Sequence, residues 1–186
     1  MKKLSIFVAT TLLPQIALAH TGHDQGRFTD GLAHPVGGAD HILAMVVLGL
    51  LAAQIGGRAL WALPVTFVGA MITGGLTGYP GLPLPGVEPM ILASVVILGA
   101  LVAMAARLPL PMLLTGTVLF GLAHGWAHRA EGPATGMIAY AAGFALMTMA
   151  LHLAGVAAGR LLQNGLLPRT LGGGAAMAGL ALAVGG

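Results

Sequence analysis

The chain contains no cysteine and few charged or aromatic residues. Without cysteine it forms no disulfide bond and offers no thiolate, so a transition-metal site must use histidine, methionine or carboxylate side chains. Only 7% of its 186 residues are charged, against about 25% in a soluble domain. With 57% hydrophobic residues and a mean hydropathy of +0.93, the composition predicts an integral membrane protein.

Lysine occurs only at positions 2 and 3. A phosphate-binding loop of the GxxxxGK[ST] type requires a lysine, so the rest of the chain cannot contain one. The other basic residues are scattered arginines. The high isoelectric point, about 10.0, therefore does not reflect a basic patch of the kind that binds nucleic acid.

Residues 1–19 have the features of a secretory signal peptide. Lys2 and Lys3 give a positive start, residues 4–13 are almost entirely apolar, and Ala17-Leu18-Ala19 is a small-residue cleavage site. Cleavage would leave His20 as the mature N-terminus, in the periplasm of a bacterial cell. The alternative interpretation is an uncleaved first helix.

Six apolar segments follow, each close to the roughly 20 residues that a membrane-spanning helix needs. We place them at residues 36–55, 59–78, 88–106, 110–128, 134–157 and 166–185, with glycine, proline and arginine between them. The predicted fold class is an all-α integral membrane protein, a bundle of six transmembrane helices after a cleavable signal peptide. Residues 20–35 would form a histidine-containing periplasmic tail and residues 36–186 the transmembrane domain.

The arginines predict the orientation. With the tail in the periplasm, the cytoplasmic side contains Arg58, Arg107, Arg160 and Arg169, whereas the periplasmic side contains Arg27 and Arg129. This bias follows the positive-inside rule. It predicts a multi-pass protein of the bacterial inner membrane with a periplasmic mature N-terminus.

All acidic residues and six of the seven histidines fall at the periplasmic end of this arrangement. Ionisable groups are costly in a membrane, so a function is their first interpretation. One cluster, at the start of the first segment, comprises His34, Asp40 and His41. The second, at the end of the fourth segment, comprises His124, His128 and Glu131, whose spacing places them on one helix face. Imidazole with carboxylate suits a divalent first-row cation, so we predict one metal site from both clusters.

These residues also have structural explanations. Asp40 and His41 could form a hydrogen-bonded pair at a helix start, and the two histidines of the second cluster could extend to water. Glu88 opens the third segment at the same level, where the helix dipole favours a carboxylate. Two clusters at one depth favour the shared ion, and we include Glu88 in the predicted site.

Other residues leave two interpretations open. His20 and His23 could collect metal or belong to a solvated tail. His152, towards the cytoplasmic side, could relay an ion or be a buried histidine with satisfied hydrogen bonds. Met45 could be a soft ligand or core filler, and physical grounds alone assign Phe67 to packing. Glycine pairs of spacing four allow close helix contacts at Gly121/Gly125, Gly132/Gly136 and Gly155/Gly159.

The segment HPVGGADHILAMVVLG, from His34 to Gly49, resembles the first-helix signature of the HupE/UreJ family of small nickel permeases. That signature is His-Pro-x-x-Gly-x-Asp-His-x-x-x-Met-x-x-x-Gly, and every fixed position is matched. The segment HGWAH, from His124 to His128, resembles the family's later His-Gly-x-Ala-His block. The signal peptide, helix number and length also agree, so the resemblance covers nearly the whole chain.

The resemblance implies a secondary permease for Ni²⁺, with Co²⁺ as the alternative, and no permanently bound cofactor. It implies metal-handling roles for His34, Asp40, His41, His128 and Glu131, and importance for Glu88 and Phe67. The implied partner is the metal ion, with indirect supply to hydrogenase or urease. The composition adds the lipid bilayer as a partner, and a homo-oligomer is left open. Arg129 departs from the pattern, because a small residue such as glycine is expected there.

Two other functions compete with transport. An intramembrane metal-dependent hydrolase would use the same clusters to activate water. An accessory subunit would bind haem or metal through paired histidines, although the neighbouring carboxylates do not favour haem.

Overall fold

The computed structural model describes residues 26–78, 82, 84–162 and 166–185. The predicted signal peptide, together with His20 and His23, lies outside these residues. Within them the regular structure is entirely helical, which confirms the all-α prediction. The helices are α1 (Phe28–Ala33), α2 (Ala39–Ile55), α3 (Ala59–Thr77), α4 (Val87–Ala103), α5 (Leu110–Glu131), α6 (Met137–Leu161) and α7 (Leu167–Gly185), and a 3-10 turn (His34–Val36) joins α1 to α2.

Four of these helices, namely α3, α5, α6 and α7, are long and apolar enough to cross a membrane. A fifth span results if α1, the 3-10 turn and α2 are taken as one broken span, whose two parts are inclined by 82°. Helix α4 is also apolar but has only 17 residues. The chain is therefore a multi-pass membrane protein with helices close to the predicted segments.

The bend before α2 has local causes. Pro35 has no backbone N–H to continue a helix, and Gly38, which precedes α2, is extended with φ −114° and ψ 131°. The helix α1 before this bend was not predicted by the sequence, which suggested a polar tail. At its start, Arg27 and Asp30 form an ion pair with Nη2 and Oδ1 3.0 Å apart, which raises the pKa of the exposed Arg27 guanidinium.

Glycine residues allow two pairs of helices to pack in direct backbone contact. A Cβ at Gly125 would meet the Met71 carbonyl, so α5 packs directly on α3, and one at Gly155 would meet the Val46 carbonyl, so α6 packs on α2. These contacts fit the predicted role of two of the glycine pairs. The prediction for Gly132 and Gly136 is wrong, because both lie in the connection between α5 and α6, where Gly136 has a φ of 69°.

Helix α2 lies at the centre of the bundle. Eight of its seventeen residues are buried, and its neighbours are α6, α4 and α3. Helix α7 is peripheral and packs mainly against α4. Because successive helices alternate in direction, the start of α2, the end of α5 and the start of α6 meet at one end, which we call the outer end.

Candidate metal centre

The last three turns of α5 place three ligand-type side chains on one face. His124 is fully buried and His128 is 6% exposed, whereas Glu131 is exposed at the end of the helix. The Nδ1 atom of His124 lies 2.8 Å from the Phe120 carbonyl oxygen. Since a carbonyl only accepts, Nδ1 donates and the Nε2 lone pair remains for another partner. The explanation that these histidines extend to water is wrong, because both face the protein interior.

Helix α2 contributes a carboxylate–imidazole pair. The His41 Nδ1 atom lies 3.0 Å from Asp40 Oδ1, and the two side chains are 15% and 24% exposed. The other ring nitrogen of His41, Nε2, is buried and has no hydrogen-bond partner among the described residues. A carboxylate on one imidazole nitrogen fixes the orientation of the ring and leaves the second nitrogen for a metal, as in many metal sites. The predicted hydrogen-bonded pair is therefore present and compatible with coordination.

His128 is the point where the two clusters meet. Its ring centroid lies 4.6 Å from that of His41 and 5.0 Å from that of His34. Neither of its ring nitrogens has a hydrogen-bond partner in the described part of the chain. A buried polar group without a partner is unfavourable, and a cation would provide one to this imidazole.

His34 reaches the site by a route that the sequence did not predict. Its spacing from His41 would place both on one face of a continuous helix, but α2 begins only at Ala39. The bend carries His34 over the end of α5 instead. There, ligand atoms of His34, His128 and Glu131 all lie within 4.8 Å of one another. This group has the ligand types and the proximity that a divalent metal requires.

Two exposed carboxylates, those of Glu88 and Glu131, lie at the outer end of the site. Glu131 interacts electrostatically with Glu88 in the first turn of α4 and with Asp40 on α2. Three like charges close together repel one another and attract a cation. The structure thus places all seven predicted residues at the outer end, with carboxylates outermost and imidazoles inside.

Phe67 and His152 lie beneath these residues. Phe67 is fully buried on α3, and its ring centroid is 5.1 Å from that of His124 and 5.1 Å from that of His152. Sequence reasoning on physical grounds assigned Phe67 to packing alone. Its position between two histidines could not be found from spacing, because the three residues belong to three different helices.

Arg129 occupies the rim of the site. Its side chain packs on Gly78 at the end of α3, and its Nη1 atom is buried without a hydrogen-bond partner among the described residues. In the same part of the chain it forms no ion pair with Glu131. Arg129 and His128 also line a cavity of about 90 Å³ between α3, α5 and α6, whose other lining residues are mostly apolar.

The comparison with known proteins gives the same family that the segments His34–Gly49 and His124–His128 resemble. A family model described as HupE / UreJ protein matches residues 8–182. The chain belongs to the HupE/UreJ family. Protein HupE of Rhizobium leguminosarum bv. viciae is 41% identical over 191 residues, and the match covers 98% of each chain. No solved structure matches the chain.

Membership of this family confirms the predicted class of protein, which is a transport protein and not an enzyme. The HupE/UreJ family comprises transport and accessory proteins connected with nickel or cobalt supply to hydrogenase and urease, and not enzymes. The competing prediction of an intramembrane hydrolase therefore does not apply to this chain. The family does not by itself assign a direction of movement or the residues that bind the ion.

Proposed function

We propose that the protein is a secondary permease that moves Ni²⁺, with Co²⁺ as the alternative substrate, from the periplasm to the cytoplasm. The observation that supports this most is the convergence of four histidine rings with three carboxylates at one end of the bundle. His34 and His41 come from the segment around the bend, and His124 and His128 come from α5. Asp40, Glu88 and Glu131 supply the carboxylates.

The arrangement suits a stepwise loss of water from the ion. The exposed carboxylates would attract the hydrated cation, and the buried imidazoles would then replace part of its hydration shell. Imidazole is a good ligand for nickel and cobalt. The ligands come from the segment around the bend, from α4 and from α5. A site that does not bind the ion too tightly permits its release.

No nucleotide is needed to drive the ion inwards. An inside-negative membrane potential favours entry of a divalent cation by about 4.6 kcal/mol per 100 mV, twice the value for one elementary charge. The protein needs only to lower the barrier of the membrane core. The ion would then be available to nickel enzymes such as hydrogenase or urease.

We further propose that α2 to α7 form six transmembrane helices in the bacterial inner membrane, with the outer end in the periplasm. The arginine bias supports this orientation, because Arg58, Arg107, Arg160 and Arg169 lie at or near the connections of the other end. The short helix α4 can still cross if the bilayer thins locally. The signal peptide at residues 1–19 and self-association of the chain remain predictions.

The test is nickel uptake by liposomes that contain the purified protein. Nickel should accumulate faster than in empty liposomes, and an inside-negative potential should increase the rate. His41→Ala removes an imidazole from the centre of the cluster and should reduce uptake by about 10- to 100-fold. Thr115→Ala, on an exposed part of α5 near the other end, should transport like the wild type. Liposomes with wild-type protein that admit nickel no faster than empty ones would contradict the proposal.

A further inference from the structure

We propose that His152 is a second, inner coordination point for the transported cation and that the Phe67 ring separates it from the outer histidines. This inference rests on the proposed function and extends it to the half of the route beyond the outer site. The ligand class is a divalent first-row cation, bound by one imidazole and its remaining water molecules.

The first observation is the state of the His152 side chain. It is 0% exposed near the middle of α6, and neither ring nitrogen has a hydrogen-bond partner among the described residues. A neutral imidazole has one N–H donor and one lone pair, and both need partners in an apolar interior. The sequence interpretation of a buried histidine with satisfied hydrogen bonds is therefore not what the structure shows.

Two buried hydroxyl side chains away from the outer site behave differently. Ser94 donates to the Ile91 carbonyl at 2.6 Å, and Thr117 donates to the Leu113 carbonyl at 2.8 Å. Each hydroxyl is thus satisfied within its own helix, as is usual for buried groups. The His152 ring makes no hydrogen bond of this kind to its own helix in the described structure. This indicates that its nitrogens bind a partner that is not part of the folded chain.

The second observation is the position of His152 relative to the outer site. Phe67 lies between His152 and His124, and its ring meets the two imidazoles at steep interplanar angles of 72° and 64°. Both centroid distances are 5.1 Å, so one aromatic ring is all that separates two fully buried histidines. The order of side chains from the outer end is then His128, His124, Phe67 and His152.

The third observation concerns the backbone around His152. A Cβ at Gly49 would meet the His152 carbonyl oxygen, so α6 is in direct backbone contact with α2 at this level. The contact fixes the height of His152 against α2, while its ring reaches Phe67 of α3. An ion that leaves the Nε2 atom of His124 would pass the Phe67 ring and meet an imidazole next. The ring would also interrupt a continuous file of water between the two points.

The first test compares nickel binding and nickel uptake in His152→Ala. Binding by the outer histidines in detergent should match the wild type, whereas uptake into liposomes should fall by about tenfold or more. Thr148→Val is the matched control, because Thr148 is fully buried one turn earlier on the same helix. That variant should keep both binding and uptake.

The second test uses the absence of cysteine. His152→Cys introduces a single thiol, and Leu153→Cys places the same thiol on a side chain that is 54% exposed on the outer surface of the bundle. Cadmium added to His152→Cys should produce a cadmium–thiolate ultraviolet absorption band. Leu153→Cys should not produce it.

The outcomes separate this inference from the proposed function. If His152→Ala transports nickel like the wild type while His41→Ala does not, the inner coordination point is refuted and the permease stands. Absence of the cadmium–thiolate band in His152→Cys would refute the inner point as well. If the wild type carries no nickel, both proposals fail.

Discussion

At the scale of single residues, the site is a set of imidazoles whose hydrogen bonds are only partly made. His124 and His41 each use Nδ1 for an acceptor, the Phe120 carbonyl and Asp40 respectively, and each keeps Nε2 without a partner in the described structure. The spacing of His124, His128 and Glu131 predicted their common face, because helical periodicity is a local property. The same reasoning could not find the role of Phe67, since nothing in one helix reveals which side chains the others bring to it.

Arg129 lies where the resemblance led us to expect a small residue, and it provides a test of charge. Its guanidinium lies at the rim without an ion pair to Glu131, so it should repel a bound divalent cation. Arg129→Gly should therefore strengthen nickel binding by about two- to fivefold, the effect of one partly solvated charge. Isothermal titration with nickel would measure this.

Arg107→Gly is the matched control, because Arg107 lies in the connection between α4 and α5 at the opposite end. It should leave the affinity unchanged. Weaker nickel binding by Arg129→Gly would contradict this prediction. It would show that the arginine stabilises the structure of the site more than its charge repels the cation.

At the scale of elements, the feature that matters most is α1 and the bend after it. The pattern of long apolar segments bounded by glycine and proline predicted α2 to α7 within a few residues. It missed α1, which is short and depends on contacts with a helix more than a hundred positions later. A Cβ at Gly31 would meet the Tyr140 carbonyl, and one at Gly143 would meet the Phe28 carbonyl. These close contacts hold the segment that carries His34.

The docking of α1 can be tested without altering any ligand. Gly31→Ala should push α1 away from α6 and withdraw His34 from His128, because the new methyl group has no space. Nickel affinity should fall by about tenfold, as far as in His34→Ala. Gly116→Ala, where a Cβ would meet no atom within 4 Å, should bind like the wild type. Full affinity in Gly31→Ala would show that the contact does not position His34.

At the scale of the whole molecule, charge and helix number together predict the topology. The six proposed spans after a periplasmic tail would place the connections after α2, α4 and α6 in the cytoplasm. Reporter fusions check this directly. Alkaline phosphatase should be active when joined after residue 134 and inactive when joined after Arg58 or Arg107. The opposite pattern at these three positions would invert the bundle and place the histidine cluster inside the cell.

The pairing of the helices has a mechanical consequence. Glycine contacts join α2 to α6 and α3 to α5 into two tightly interlocked units. His41 and His152 belong to the first unit, whereas His124, His128 and Phe67 belong to the second. A slide of one unit along the other would change every distance across the histidine column and leave each unit internally intact. Such a slide would open or close the proposed route without any helix unfolding or bending.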